Sequence, residues 1–192
     1  MILLWGLILV LLSVLTVETA GSFDSDSLSC NRLRNLAQEE DSIYSQYGED
    51  GVLLALLDIL GMENSSRTFV EFGVEDGRQC NTRVLRDVRG FKGISMDGSN
   101  SDSTINLNKE FILESNILDL FSKYNVPSNV DVMSIDVDMY DYWILNKILS
   151  SKKYLPRIII VETNPSLCVA TSLVKDYKSM NNVPLSVLYP GM

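Results

Sequence analysis

The stretch Thr68-Phe69-Val70-Glu71-Phe72-Gly73-Val74-Glu75-Asp76-Gly77 restricts the folds open to this chain more than any other. Phe69, Val70 and Phe72 give the bulky apolar character of a strand covered on both faces. Gly73 and Gly77 mark positions where the backbone bends or another group comes close. A helical pattern follows from Arg78 to Val88, with Cys80, Val84, Leu85 and Val88 on one stripe. Strand, glycine turn, helix is the local geometry by which α/β proteins present backbone N–H groups to a nucleotide-like ligand.

The same alternation runs through the chain. Val52 to Leu60 is rich in helix formers and is ended by Gly61, which reads as a buried, glycine-capped helix. After the Thr68 stretch, strand patterns fall at Lys92 to Met96, ending on Asp97-Gly98, at Glu110 to Ser115, at Val130 to Asp136 and at Arg157 to Glu162. Helical spacing places Ile117, Leu120, Phe121 and Tyr124 on one face, and Tyr142, Leu145, Ile148 and Leu149 on another. Strands that alternate with helices predict βαβ units and an α/β fold with a parallel sheet. Past Asn164-Pro165 the pattern fades, with one further strand candidate at Pro184 to Tyr189.

A chain of 192 residues accommodates one domain with a sizeable core. Its net charge of −9 argues against a nucleic-acid partner, which calls for a basic patch. It has no histidine, which removes Ser-His-Asp triads, Cys-His dyads and imidazole metal ligands, so any metal must be held by carboxylates, as suits magnesium, calcium or manganese. Met1 to Val17 is almost uninterrupted apolar sequence followed by Thr19-Ala20-Gly21-Ser22, the pattern of a secretory signal peptide. An uncleaved membrane anchor is the alternative, and the run is shorter than the roughly 20 residues that a spanning helix prefers. Residues 1–21 are therefore read as leader, 22–41 as a polar spacer or loosely held helix, and 42–192 as the domain. Cys30, Cys80 and Cys168 allow one disulfide with a leftover thiol, pairing open, or three buried thiols. Asn64-Ser65-Ser66 is an N-glycosylation sequon if the chain enters the secretory pathway.

Ligands of parallel sheets bind outside the carboxyl ends of the strands. Those ends offer Glu71 with Gly73 and Gly77, then Asp97, then Asp136 and Asp138, then Glu162 and Asn164. Isolated acidic strand ends are helix caps or turn formers; a cluster of them points to a ligand. The Glu-x-Gly-x-x-x-Gly turn is neither the dinucleotide fingerprint nor a phosphate loop. An acidic turn repels pyrophosphate and welcomes an adenosine that carries a positive centre. Asp97 stands where a carboxylate accepts ribose hydroxyls. The combination suggests S-adenosylmethionine. Gln46 and Tyr47 either close over such a cofactor or, as is commoner, Tyr47 packs its own loop. Tyr140, Tyr142 and Trp143 are read as core in preference to an acceptor pocket.

Ser45-Gln46-Tyr47-Gly48-Glu49-Asp50-Gly51, Phe69 to Gly77, and Ser134-Ile135-Asp136-Val137-Asp138 followed by Tyr142-Trp143-Ile144-Leu145 resemble the FkbM-like branch of S-adenosylmethionine-dependent methyltransferases, over roughly Ser45 to Ser166. The resemblance implies a Rossmann-like class I methyltransferase sheet, mostly parallel, whose C-terminal antiparallel hairpin is incomplete here. It implies Glu71, Gly73 and Gly77 around the methionine part of the cofactor, Asp97 at its ribose, and Glu114, Ser115 and Asn116 near its adenine. Asp136 and Asp138 then face the transferred methyl or a divalent cation such as magnesium. The implied activity is O-methyl transfer in the secretory pathway, lumenal or secreted, to a small-molecule or glycan hydroxyl. The alternative is a secreted or membrane-tethered module that keeps the fold without the reaction.

Overall fold

The computed structural model describes residues 11–12, 28–62, 66–138 and 140–162. Five parallel strands form its centre: β2 (Thr68–Phe72), β3 (Lys92–Asp97), β4 (Leu107–Lys109), β5 (Val132–Ile135) and β6 (Ile158–Val161). The two-residue strand β1 (Leu11–Leu12) lies antiparallel to β6, so the sheet order is β1-β6-β5-β2-β3-β4. The parallel part runs outward from β2 through β3 to β4, then resumes on the other side with β5 and β6. That order is the doubly wound, Rossmann-like arrangement, with its switch point between β2 and β5. The expected α/β parallel sheet is therefore present. Any closing hairpin, Asn164 to Ser166, Cys168 and the Pro184 to Tyr189 candidate lie outside the described residues, as does most of the sequon and leader. Among the described residues no helix is long and apolar enough to cross a membrane.

Helices cover both faces because strand side chains alternate. Phe69, Val132, Ile158 and Ile160 pack with Val52, Leu53 and Leu56 of α2 (Glu49–Ile59) and Val84 and Leu85 of α3 (Arg83–Asp87). Val70, Phe72, Met133, Ile135, Ile159 and Val161 pack with Ile117 and Phe121 of α4 (Ile117–Lys123) and Ile144 and Ile148 of α5 (Asp141–Ser150). Two-sided burial is what the continuous apolar runs of β5 and β6 demand. Ahead of these elements, α1 (Leu28–Arg34) and a 3-10 turn at Leu36–Glu39 give the polar segment regular structure, with Leu36 buried against α2.

Two boundaries and the rotation of one helix differ from the sequence pattern, each for a local reason. The third parallel strand is Leu107–Lys109, not Glu110 to Ser115. Leu107 is the residue that reaches the core, and Glu110 spends its carboxylate on Lys123 and Tyr124. Helix α3 begins only at Arg83, because Asn81 and Thr82 are drawn back onto Glu71; Val88 consequently falls past its end and is exposed. Helix α5 buries Asp141, Ile144 and Ile148 while Tyr142 and Leu149 face solvent. Its phase is set by the Asp141 carboxylate turning inward to accept the Val137 N–H at 2.9 Å. Tyr140 is core as expected, whereas Tyr142 is not and only stacks edge-on against Trp143.

Candidate functional site

The switch point is built by close backbone approach. Gly73, at the end of β2, adopts φ +75°, and a Cβ there would stand 1.5 Å from the Asp136 carbonyl oxygen at the end of β5. The Gly73 N–H donates to Met96 O at 3.0 Å and the Asp136 N–H to Phe72 O at 3.2 Å, which stitches β2 to both neighbours beyond the ladder. The turn then closes with Gly77 N–H to Val74 O at 2.8 Å. Val74 and Cys80 are buried against Leu107, so the turn is pinned to the sheet edge. Gly77 also has φ +75°, and a Cβ on it would meet only the flexible Ile105 Cδ1 at 2.5 Å.

Asp97 is 8% exposed and already busy. Its Oδ1 accepts from Ser99 N, Asn100 N and Asn100 Nδ2, and its Oδ2 accepts from Glu75 N at 3.0 Å. A carboxylate oxygen takes about two donors, so Oδ2 keeps one lone pair for a ligand hydroxyl. Glu71 is tied to the turn as well: Oε1 accepts from Asn81 N at 2.8 Å and Oε2 from the N–H and hydroxyl of Thr82. Burial raises its pKa, against the pull of those Thr82 and Asn81 bonds. Glu71 thus shapes the turn from beneath, together with Asn81, whose Nδ2 reaches Ser134 Oγ at 3.2 Å. Glu114 pairs with Lys147 at 3.1 Å, and Asn116 bonds Leu113 N and Phe111 O within its own loop.

The other wall is acidic. Asp136 is half-buried, and burial first, then Glu162 and Asp141, push its carboxyl up to about 8. Glu162 also hydrogen-bonds it, and exposed Asp138, at φ 45°, adds to the negative field. Burial likewise raises Asp141 to about 6, opposed by the Val137 bond. Asp141 is a participant the sequence pattern did not single out, although an acid heading a helix is a signal for its N-terminus. Among the described residues no group of three or more acid or thiol side chains is arranged to hold a metal ion. Cys80 is a free buried thiol whose pKa burial drives up, which makes it inert.

Of the Ser45 to Gly51 motif, Ser45 to Gly48 form a loop near the turn and Glu49 to Gly51 open α2. Asp50, fully buried at the start of α2, accepts the N–H groups of Ile43, Tyr44 and Ser45 on one oxygen and donates its own N–H to Ser45 Oγ. The loop reaches across with Gln46 Nε2 at 3.5 Å from Gln79 Oε1, and the Arg83 guanidinium lies 4.1 Å from the Tyr44 ring centre. Tyr47 does not pack its own loop; it is 60% exposed because the Asp50 bonds hold the backbone and leave the tip outside. Asp50→Ala leaves three backbone donors without their acceptor and should cost about 2 kcal/mol. Urea denaturation is the measurement, and a midpoint equal to wild type would contradict this role.

In chemical terms the crevice offers the Asp97 carboxylate with a spare lone pair, a glycine turn, and the Asp136 carboxyl raised to about 8 beside Glu162. That donor set suits a cationic adenosine ligand on electrostatic grounds. No protein-family model, curated protein or solved structure matches this chain.

Proposed function

We propose that this chain is an S-adenosylmethionine-dependent O-methyltransferase of the secretory pathway, of the FkbM-like kind its motifs resemble, with a glycan hydroxyl as acceptor. The observation that carries the reading is the meeting of the Gly73 to Gly77 turn, Asp97 and Asp136 around one switch point. Asp97 Oδ2 is the group to receive a ribose hydroxyl. The Gly73 and Gly77 turn flanks the methionine end, and the negative wall of Asp136, Asp138, Asp141 and Glu162 favours a sulfonium. When bound, the cofactor would supply an electrophilic methyl carbon for in-line attack by the acceptor oxygen, with the carbon–sulfur bond breaking and the neutral thioether as leaving group. The chain's own part is to align the acceptor and take its hydroxyl proton. Asp136 is the base in this reading, with Glu162 as its hydrogen-bond neighbour.

Calorimetric titration of the full chain with S-adenosylmethionine tests the first step. The expected dissociation constant is on the order of 1–100 μM, the range in which enzymes commonly hold substrates. Asp97→Asn keeps the shape and loses the charge, and should weaken binding about tenfold, the worth of one charged hydrogen bond. Absence of heat with a folded wild-type chain would sink the reading.

A second reading has its own support. Glu71, Asn116 and most of Asp97 are bound to protein groups, which is what a non-catalytic module with this fold would show. Cofactor binding without methyl transfer to any glycan hydroxyl would favour it.

A further inference from the structure

Beyond the switch point, the outer edge of the sheet carries a groove of about 650 Å³ lined by Ser101, Asp102, Ser103, Asn106, Asn108 and Lys109, with Leu107 at its base and Tyr124 at its side. β4 is two strands from β2, so the groove lies about 10 Å from the switch point. Ligand pockets are usually mostly apolar. This one presents hydroxyls, amides, a carboxylate and an ammonium, the set that meets a polyhydroxylated ligand.

Its walls are held rigid by the fold. Asp102 pairs with Leu107 through both backbone bonds at 2.9 Å, which closes the edge of β4 against another strand. Asp102 Oδ1 caps Thr104, Asn106 Nδ2 donates to Gly93 O at 2.7 Å, and Asn108 Nδ2 donates to Asn106 O at 3.0 Å. Tyr124 OH donates to Glu110, which fixes its ring beside the groove. What these bonds leave over are the Ser101 and Ser103 hydroxyls, Asp102 Oδ2, Asn108 Oδ1 and Lys109 Nζ. Among the described residues Lys109 has no ion-pair partner, in contrast to Lys123 and Lys147.

We propose that this groove binds an acidic saccharide at a site separate from the switch point. Lys109 pairs with the sugar carboxylate, and Asp102, Asn108 and the two serines take its hydroxyls. The Tyr124 ring gives an apolar edge for the sugar C–H face. A neutral sugar lacks the charge-assisted contact with the exposed Lys109 ammonium and binds more weakly.

The test uses the full chain, isotopically labelled and without cofactor, titrated with D-glucuronic acid and, separately, with D-glucose. Expected are amide shifts confined to Ser101 to Lys109 and neighbours, with a dissociation constant on the order of 1 mM for glucuronic acid. Lys109→Ala should weaken glucuronic acid about tenfold, one charge-assisted contact, while the spectrum stays dispersed. Ser103→Ala should weaken both sugars about threefold, a single neutral hydrogen bond. The proposal is overturned by an absence of shifts in this segment, by equal affinity for the two sugars, or by a Lys109→Ala chain that binds glucuronic acid as wild type does. Because no cofactor is present, failure or success of methyl transfer leaves these outcomes untouched.

Discussion

Gly73→Val should unfold the protein at ambient temperature. A non-glycine residue at φ +75° costs about 1–2 kcal/mol, and a β-branched one more. The larger effect is steric: the added Cβ meets the Asp136 carbonyl oxygen at 1.5 Å and its carbon at 2.7 Å, both backbone. Relief requires the ends of β2 and β5 to separate, which breaks the Gly73 N–H to Met96 and Asp136 N–H to Phe72 bonds. Together these amount to roughly 4 kcal/mol or more, comparable with the whole stability of a domain this size. Gly77→Val is the internal control. It has the same φ, but its neighbour is the end of the Ile105 side chain, so a loss of about 2 kcal/mol is expected. Urea denaturation followed by circular dichroism reads both. A Gly73→Val chain within about 1 kcal/mol of wild type would show that the switch point is not closed by backbone contact.

That result would also explain why this turn was visible in the sequence. Its requirement is backbone space, which only glycine meets, so residue type alone announces it. The strands β2, β5 and β6 were legible for a similar reason: two-sided burial leaves a near-continuous apolar signature, whereas β3, exposed at its start, shows it only in Ile94 and Met96. β4 was not, since a three-residue edge strand with one buried side chain has no such signature and the apolar Phe111 to Leu113 nearby mimics it. Helix α5 was placed correctly along the chain and wrongly in rotation. Tyr142 and Leu149 are apolar enough for a core, and the decision fell to one hydrogen bond between Asp141 and Val137.

The site was legible as a set of strand-end acids and illegible as chemistry. Glu71 and Asp97 are alike in sequence, yet one is tied to Asn81 and Thr82 ahead of α3 and the other to Glu75, Ser99 and Asn100 around the end of β3. Asp136 and Asp138 are two residues apart, yet one is half-buried beside Glu162 and Asp141 and the other is exposed. Burial and partners of this kind come from chain segments distant in sequence, and no local pattern encodes them.

Asp136 accordingly gives the second large effect. If it takes the acceptor proton, methyl transfer requires its ionised form. With the carboxyl pushed up to about 8, kcat/KM should rise about tenfold per pH unit from pH 6 and level off near pH 8. Asp136→Asn keeps the shape and removes the base, and should lower the rate by about 10²–10⁴-fold and flatten the pH slope. The same group has a signature in folding that needs no substrate. Its folded pKa lies above its value of 3.8 in an unfolded chain, so the folded state holds the proton more tightly. Its stabilising contribution is full below about pH 4 and is lost as pH rises through 8; Asp141, raised to about 6, acts in the same direction over the lower part of that window. Between pH 5 and pH 8.5 the unfolding free energy should fall by about 4–5 kcal/mol, at about 1.4 kcal/mol per unit of separation, and Asp136→Asn should remove most of that fall. A chain equally stable at both ends of the range would mean that the Asp136 carboxyl is not raised in the folded state. Such a chain would also remove the reason for assigning proton uptake to this wall of the crevice.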